Sequence, residues 1–227
     1  MSPRADDFVR TNTRIRTAPL IPEIPLHLAS EVVPLWQMTE EELSRANVAP
    51  PYWAFAWAGG QAVSRFILDN PHHVAGRRVL DFATGSGIGA IAAALAGAKS
   101  VLASDIDMYA LTSAAMNAAL NGAAIAFTSS DLIGRLDLAV DVVLAGDICY
   151  EQPMAGQVEA WLKALAAQGV LVLMGDPGRT YKPKSGLVEL QRYRVSTSRE
   201  LEDSDVRSTA VLQVAAEPNS DSSAVNA

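Results

Sequence analysis

One cysteine, three histidines and a shortage of positive charge set the first limits on this 227-residue chain. With Cys149 alone, neither an internal disulfide nor a CxxC metal or redox motif can form. That fits a reducing compartment, and the chain is expected to be cytoplasmic. His27, His72 and His73 all lie in the N-terminal third, so a histidine-based triad or metal site lacks support and no metal is expected. Lys and Arg number 18 against 25 Asp and Glu, giving a net charge of −7 and a pI near 4.9. This is the wrong balance for neutralising a phosphate backbone, and no nucleic-acid partner is expected. No run reaches the roughly 18 uninterrupted apolar residues of a membrane span, because the Ala-rich stretch after Gly89 breaks at Gly97 and Lys99. The single basic cluster, Arg4, Arg10, Arg14 and Arg16, is diluted by Asp6 and Asp7. A targeting peptide avoids acids, so a solvated N-terminal arm is expected there.

What the chain does have is apolar content, 49% of residues, ample for one packed core. Residues 1–51 carry Pro3, Pro19, Pro22, Pro25, Pro34, Pro50 and Pro51, which favours an extended arm lying over another surface. Within it "TEEEL" sets Thr39 and Glu42 at capping-box spacing, predicting a short helix from Thr39. Ala62, Val63, Phe66 and Ile67 repeat at helical spacing and predict a helix over 60–69, stopped by "DNP". From Val79, β-rich runs at "RRVLDF", "SVLASD", "AIAFTS", "DVVLAG" and "GVLVLM" alternate with Ala- and Leu-rich segments, including a helix over 107–120 that ends on "NG". That alternation predicts a doubly wound α/β sheet over residues 52–214. After Met174 come a turn-rich loop "GDPGRTYKPKSG", a short helix at "SGLVELQRY" and two strands, "YRVSTS" and "STAVLQVA", joined as an antiparallel hairpin. Residues 215–227 read as a disordered tail.

The chemistry concentrates at "LDFATGSGIGA", residues 80–90. Gly85, Gly87 and Ala90 match the spacing of a dinucleotide fingerprint, and Asp105 follows about twenty residues on, where an acid would hold a ribose diol. Three features turn the reading from NAD to S-adenosylmethionine. Asp81 precedes the glycines, where a carboxylate would repel a pyrophosphate but suits the ammonium of a methionine moiety. The loop lies behind a long aromatic and proline-rich arm, and with the closing hairpin after it no separate catalytic domain is expected. In this reading Gly85 and Gly87 let the backbone approach the cofactor and Thr84 offers a hydroxyl. Asp105 accepts from the ribose, with Ile106 beside it in the same pocket. Asp131 accepts from the adenine amino group and Leu132 gives an apolar face. The plain alternatives are a tight turn for the glycines and a helix N-cap for Asp131.

A second group follows the fourth strand, in "GDICYE". Methyl transfer needs a neutral nucleophile held in line with the sulfonium methyl. A lysine with an ordinary pKa of about 10.4 is neutral in roughly one copy in a few thousand near pH 7. Asp147 could hold and orient the incoming ammonium, and Tyr150 supply an aromatic wall and a hydroxyl acceptor. The alternative is that Asp147 caps the next helix while Tyr150 packs. Cys149 reads as a buried filler, with no histidine placed to activate it. In "YWAFAW", Trp57 before Ala58, Gly59 and Gly60 is expected to line the cofactor site with a π face; Trp53 is divided between that role and the core.

Taken together, "PPYWAFAWAGGQA", "VLDFATGSGIGAIAAALAGA", "VLASDID", "GDICYE" and "GDPGRTY" resemble the seven-strand protein-lysine methyltransferases over residues 8–214. Among these the likeness runs to the group acting on the β subunit of electron transfer flavoprotein. The resemblance implies a Rossmann-like class I methyltransferase sheet of order 3-2-1-4-5-7-6 with strand 7 antiparallel. It also implies S-adenosylmethionine-dependent methylation of lysines in that subunit, near the surface that meets its dehydrogenases. Carried over by position, Asp81, Gly85 and Gly87 match the first cofactor motif, Asp105 the ribose acid, Asp131 the adenine acid, and Asp147 with Tyr150 the D-x-x-Y motif. Ala83 departs from the usual first glycine, and Leu132 stands where many relatives carry tryptophan. On sequence alone, small-molecule N-methylation, for instance of a nicotinamide-like amine, and non-catalytic cofactor binding remain open.

Overall fold

The computed structural model describes residues 3–29, 50–197 and 205–216. Helix α1 (Pro3–Asn12) leads into an antiparallel ribbon of β1 (Arg14–Ala18) and β2 (Ile21–Leu28). After a 3₁₀ turn at Tyr52–Ala54 come α2 (Ala58–Asp69) and a second such turn at Pro71–His73. Then β3 (Arg78–Phe82), α3 (Ile88–Leu95), β4 (Ser100–Ser104), α4 (Met108–Leu120) and β5 (Ala126–Thr128) alternate. The chain continues through β6 (Val142–Gly146), α5 (Met154–Ala167), β7 (Leu171–Asp176), β8 (Leu187–Ser196) and β9 (Val206–Val214).

The seven-stranded sheet has the order β5-β4-β3-β6-β7-β9-β8. Its first five strands are parallel and β9 runs antiparallel to both neighbours. Counted from β3, this is the 3-2-1-4-5-7-6 arrangement the resemblance implies. Central strands such as "VVLAG" are apolar along their whole length because helices cover both faces. On one face Ile67, Ile91 and Leu144 pack with Ile21, Ile24 and Leu26 of β2. On the other, α5 places Trp161, Leu162 and Leu165 against Leu80 and Val143. Among the described residues no helix is long and apolar enough to cross a membrane.

Two expectations change. "SGLVELQRY" is not a helix: it supplies most of β8, a ten-residue strand laddered onto β9 with an irregularity between Glu189 and Gln191. Val188, Tyr193 and Val195 favour a strand, and pairing along nearly the whole of β9 overrides the local helical spacing. The start of the arm is helical, with buried Val9 and the neighbouring Phe8 packed near Trp53, and Pro22 and Pro25 lie in β2 of a ribbon that tolerates them. The helix predicted from Thr39, residues 198–204 between the two hairpin strands and residues 217–227 of the predicted tail lie outside the described residues.

Candidate active site

Most of the acids and glycines that the sequence singles out gather at the carboxyl ends of β3, β4, β6 and β7. After β3 the chain takes left-handed backbone at Ala83 (φ 52°), Gly85 (φ 51°) and Gly87 (φ 82°). Only glycine adopts such angles without penalty, so Ala83 is a strained position and Gly85 and Gly87 are relaxed ones. Asp81 organises the loop from beneath. Its Oδ2 accepts from the Thr84 hydroxyl and from Ala90 N–H at 2.9 Å. A Cβ on Gly89 would lie 2.5 Å from Asp81 Oδ1, so the first turn of α3 sits directly on the carboxylate. Burial pushes the Asp81 carboxyl up to about 7, against the pull of those hydrogen bonds.

Asp105, after β4, receives Gly85 N–H on Oδ2 and Asp107 N–H on Oδ1, both at 3.0 Å. Burial raises its pKa while these backbone donors lower it. A carboxylate offers about four lone-pair sites, so acceptor capacity is left for a diol. Ile106 beside it is 75% exposed, an apolar face presented outward. Asp131 is exposed and accepts from Ile133 N–H at 3.0 Å, a local turn contact of the kind its plain reading anticipates. Leu132 is buried in the core with Leu80 and Val143, so its apolar surface is spent inward.

Asp147 is where sequence and structure differ most in meaning. It takes a left-handed conformation (φ 55°) and its N–H donates to Gly175 O at 3.0 Å. Its Oδ2 accepts from the N–H groups of Gly59 and of Gly60, the latter at 3.1 Å. Asp147 therefore caps α2, an element 88 residues earlier, and not the next helix. The contact is possible because three elements meet without side chains. A Cβ on Gly146 would lie 2.7 Å from Gly60 Cα, and one on Gly175 2.7 Å from Gly59 C. Oδ1 of Asp147 pairs with Arg179 Nη2 at 2.8 Å.

The aromatic segment divides in two. Trp53 is core, stacked on Tyr109 at 6.4 Å and tilted against Phe8. Trp57 faces the Asp147 side: its indole N–H donates to Tyr52 O at 2.7 Å, and the Arg179 guanidinium lies 5.9 Å from its ring centre. Tyr150 is 43% exposed and meets the Tyr52 ring at 5.5 Å. Burial, Glu151, Tyr52 and Asp105 push its phenol up to about 12, so it stays protonated at neutral pH. Cys149 is buried and its thiol is also pushed up to about 12, first by burial, which suits a filler and not a nucleophile.

Sequence reading missed Arg179 as a partner of Asp147 and the glycine interlock. A signal existed: Gly-Asp recurs at the ends of the adjacent strands β6 and β7, opposite the Gly-Gly that opens α2. The acids around the glycine loop and its left-handed backbone fit a cationic, phosphate-free nucleoside, since a pyrophosphate would meet Asp81 and Asp105 with like charge.

A family model described as ribosomal protein L11 methyltransferase (PrmA) matches residues 62–175. The electron transfer flavoprotein beta subunit lysine methyltransferase of Danio rerio is 35% identical over 220 residues, covering 94% of this chain and 84% of that protein. Its counterpart from Xenopus laevis is 40% identical over 174 residues, covering 76% and 70%. Among solved structures, the magnesium protoporphyrin IX methyltransferase of Synechocystis with bound SAH gives a TM-score of 0.51 at 18% identity. That match spans 70% of this chain and 81% of that one, and is a likeness of fold.

Proposed function

The chain belongs to the electron transfer flavoprotein beta subunit lysine methyltransferase family and is an S-adenosylmethionine-dependent methyltransferase; from that premise we propose that it methylates lysine side chains of the flavoprotein β subunit. The observation that carries the reading into the site is the pairing of an acidic glycine loop with a wall of Tyr52, Trp57 and Tyr150 around Asp147 at one sheet edge. S-adenosylmethionine, when bound, supplies an electrophilic methyl on a sulfonium. Asp81 would receive its ammonium, Gly85 and Gly87 its approach along the backbone, and Asp105 its ribose hydroxyls. Ile106 and Asp131 would border the adenine. On the other side, the aromatic wall excludes water and guides the alkyl stem of a lysine, while Asp147 positions α2 and Arg179. The lysine proton leaves to solvent.

Small-molecule N-methylation and non-catalytic binding give way, because relatives spanning most of the chain are named protein-lysine methyltransferases. Incubating the protein with purified flavoprotein β subunit and labelled methyl donor tests the reading. Label on lysine in that subunit is expected. Label confined to small molecules, or none, would contradict it.

A further inference from the structure

Arg179 enters the site from the loop after β7, and binding of the methyl donor gives it no task. The loop is built to place it. Asp176, the buried last residue of β7, accepts from Gly178 N–H at 2.6 Å and Arg179 N–H at 3.0 Å through one oxygen, and Gly178 turns the chain at φ 93°. The guanidinium then reaches Asp147 Oδ1 at 2.8 Å and lies over Trp57 at 5.9 Å. The pair is largely withdrawn from water, the side chains 22% and 9% exposed. With Gly59 and Gly60 on the other oxygen, the charge of Asp147 is met before any substrate arrives.

An unneutralised carboxylate beside a bound lysine would favour the ammonium, whose lone pair is occupied by a proton. Such binding tightens the ground state without helping the transition state. We propose that Arg179 is a positioning residue that neutralises Asp147, so that the site takes the substrate lysine as its neutral amine and does not hold its ammonium. This rests on the protein-lysine reading above. The lysine Nζ gives its proton to water, and its lone pair then forms the N–C bond as the C–S bond breaks with its electrons remaining on sulfur. The methylated ammonium releases a proton to solvent.

Of the neighbouring groups, Cys149 is acted on by Asp176, Glu159, Asp147 and Lys182, and Tyr150 by Glu151, Tyr52 and Asp105. Cys149 and Tyr150, both near 12, stay protonated through the assay range.

The experiment compares pH profiles of kcat and KM for flavoprotein β subunit, at saturating methyl donor, for wild type, Arg179→Gln, Arg179→Lys and Asp147→Asn. For Arg179→Gln we expect an equal or lower KM, kcat down about tenfold near neutral pH, and a profile displaced about one unit to higher pH. Asp147→Asn leaves Arg179 uncompensated and should displace the profile the opposite way with a higher KM. Arg179→Lys should keep the wild-type position. Donor binding by calorimetry checks that each variant is folded; should Arg179→Gln fail that check, Asp147→Asn and Arg179→Lys still carry the prediction. Coincident profiles, or displacements in one direction for both halves of the pair, overturn the inference. A wild-type enzyme that leaves the flavoprotein lysines unmodified overturns the functional reading, and this inference with it.

Discussion

At the scale of single residues, Asp81 is the group whose state most directly links chemistry to stability. Its carboxyl titrates near 7 in the folded chain against 3.8 ordinarily, because burial disfavours the charge. The folded chain therefore holds a proton that the unfolded chain releases between these values. The sign follows: stability falls as pH rises from 3.8 to about 7, and Asp81→Asn should remove that fall in urea unfolding followed across pH. Donor affinity should run the other way, rising with pH toward 7, since the ionised carboxylate meets the ammonium, and Asp81→Asn should flatten the trend in calorimetry. A parallel pH dependence in wild type and variant would contradict both. Asp81, Gly85, Gly87 and Asp105 were legible in the sequence because their requirements are local: a turn, a close backbone approach, an acid at a strand end. The partners of Asp147 were not, since its ligands are backbone N–H groups of Gly59 and Gly60, which no side-chain pattern advertises, and a guanidinium from the loop after the neighbouring strand.

At the scale of elements, the N-terminus of α2 meets β6 and β7 through glycines. A methyl on Gly146 would press on the backbone of Gly60 at 2.7 Å, which cannot rotate aside. Gly146→Ala should lower stability by about 1–3 kcal/mol and disturb the Asp147 contacts with it. Gly156→Ala is the contrasting change, because this glycine is exposed in α5 and its added methyl would meet only Gln152 Oε1 at 3.6 Å. It should raise stability by up to about 1 kcal/mol. Equal effects of the two substitutions in urea unfolding would argue against the interlock. The parallel strands and their helices were readable because full burial leaves short apolar runs between amphipathic ones. The first part of β8 was misread because it lies in an edge strand with much of its surface exposed, and its pairing with β9 is a tertiary fact.

At the scale of the whole molecule, the arm and the glycine loop are one structure. Buried Asn117 of α4 accepts from His27 N–H at 2.7 Å and donates to Ser86 O at 2.8 Å, joining β2 to the loop between Gly85 and Gly87. Asn121 adds a donation to Pro25 O at 2.8 Å. Asn117→Ala would leave a backbone donor and acceptor unmet, and should cost about 1–3 kcal/mol in urea unfolding. It should also weaken donor binding, since Ser86 belongs to the loop. Loss of stability with unchanged donor affinity would separate arm from loop.

The central claim concerns lysine on one protein substrate, and it is tested most directly by the intact mass of electron transfer flavoprotein β subunit from cells with and without this protein. We expect the subunit from the cells that contain it to be heavier by whole multiples of one methylene, with the difference mapping to lysine. Identical masses from the two cell lines would contradict the account.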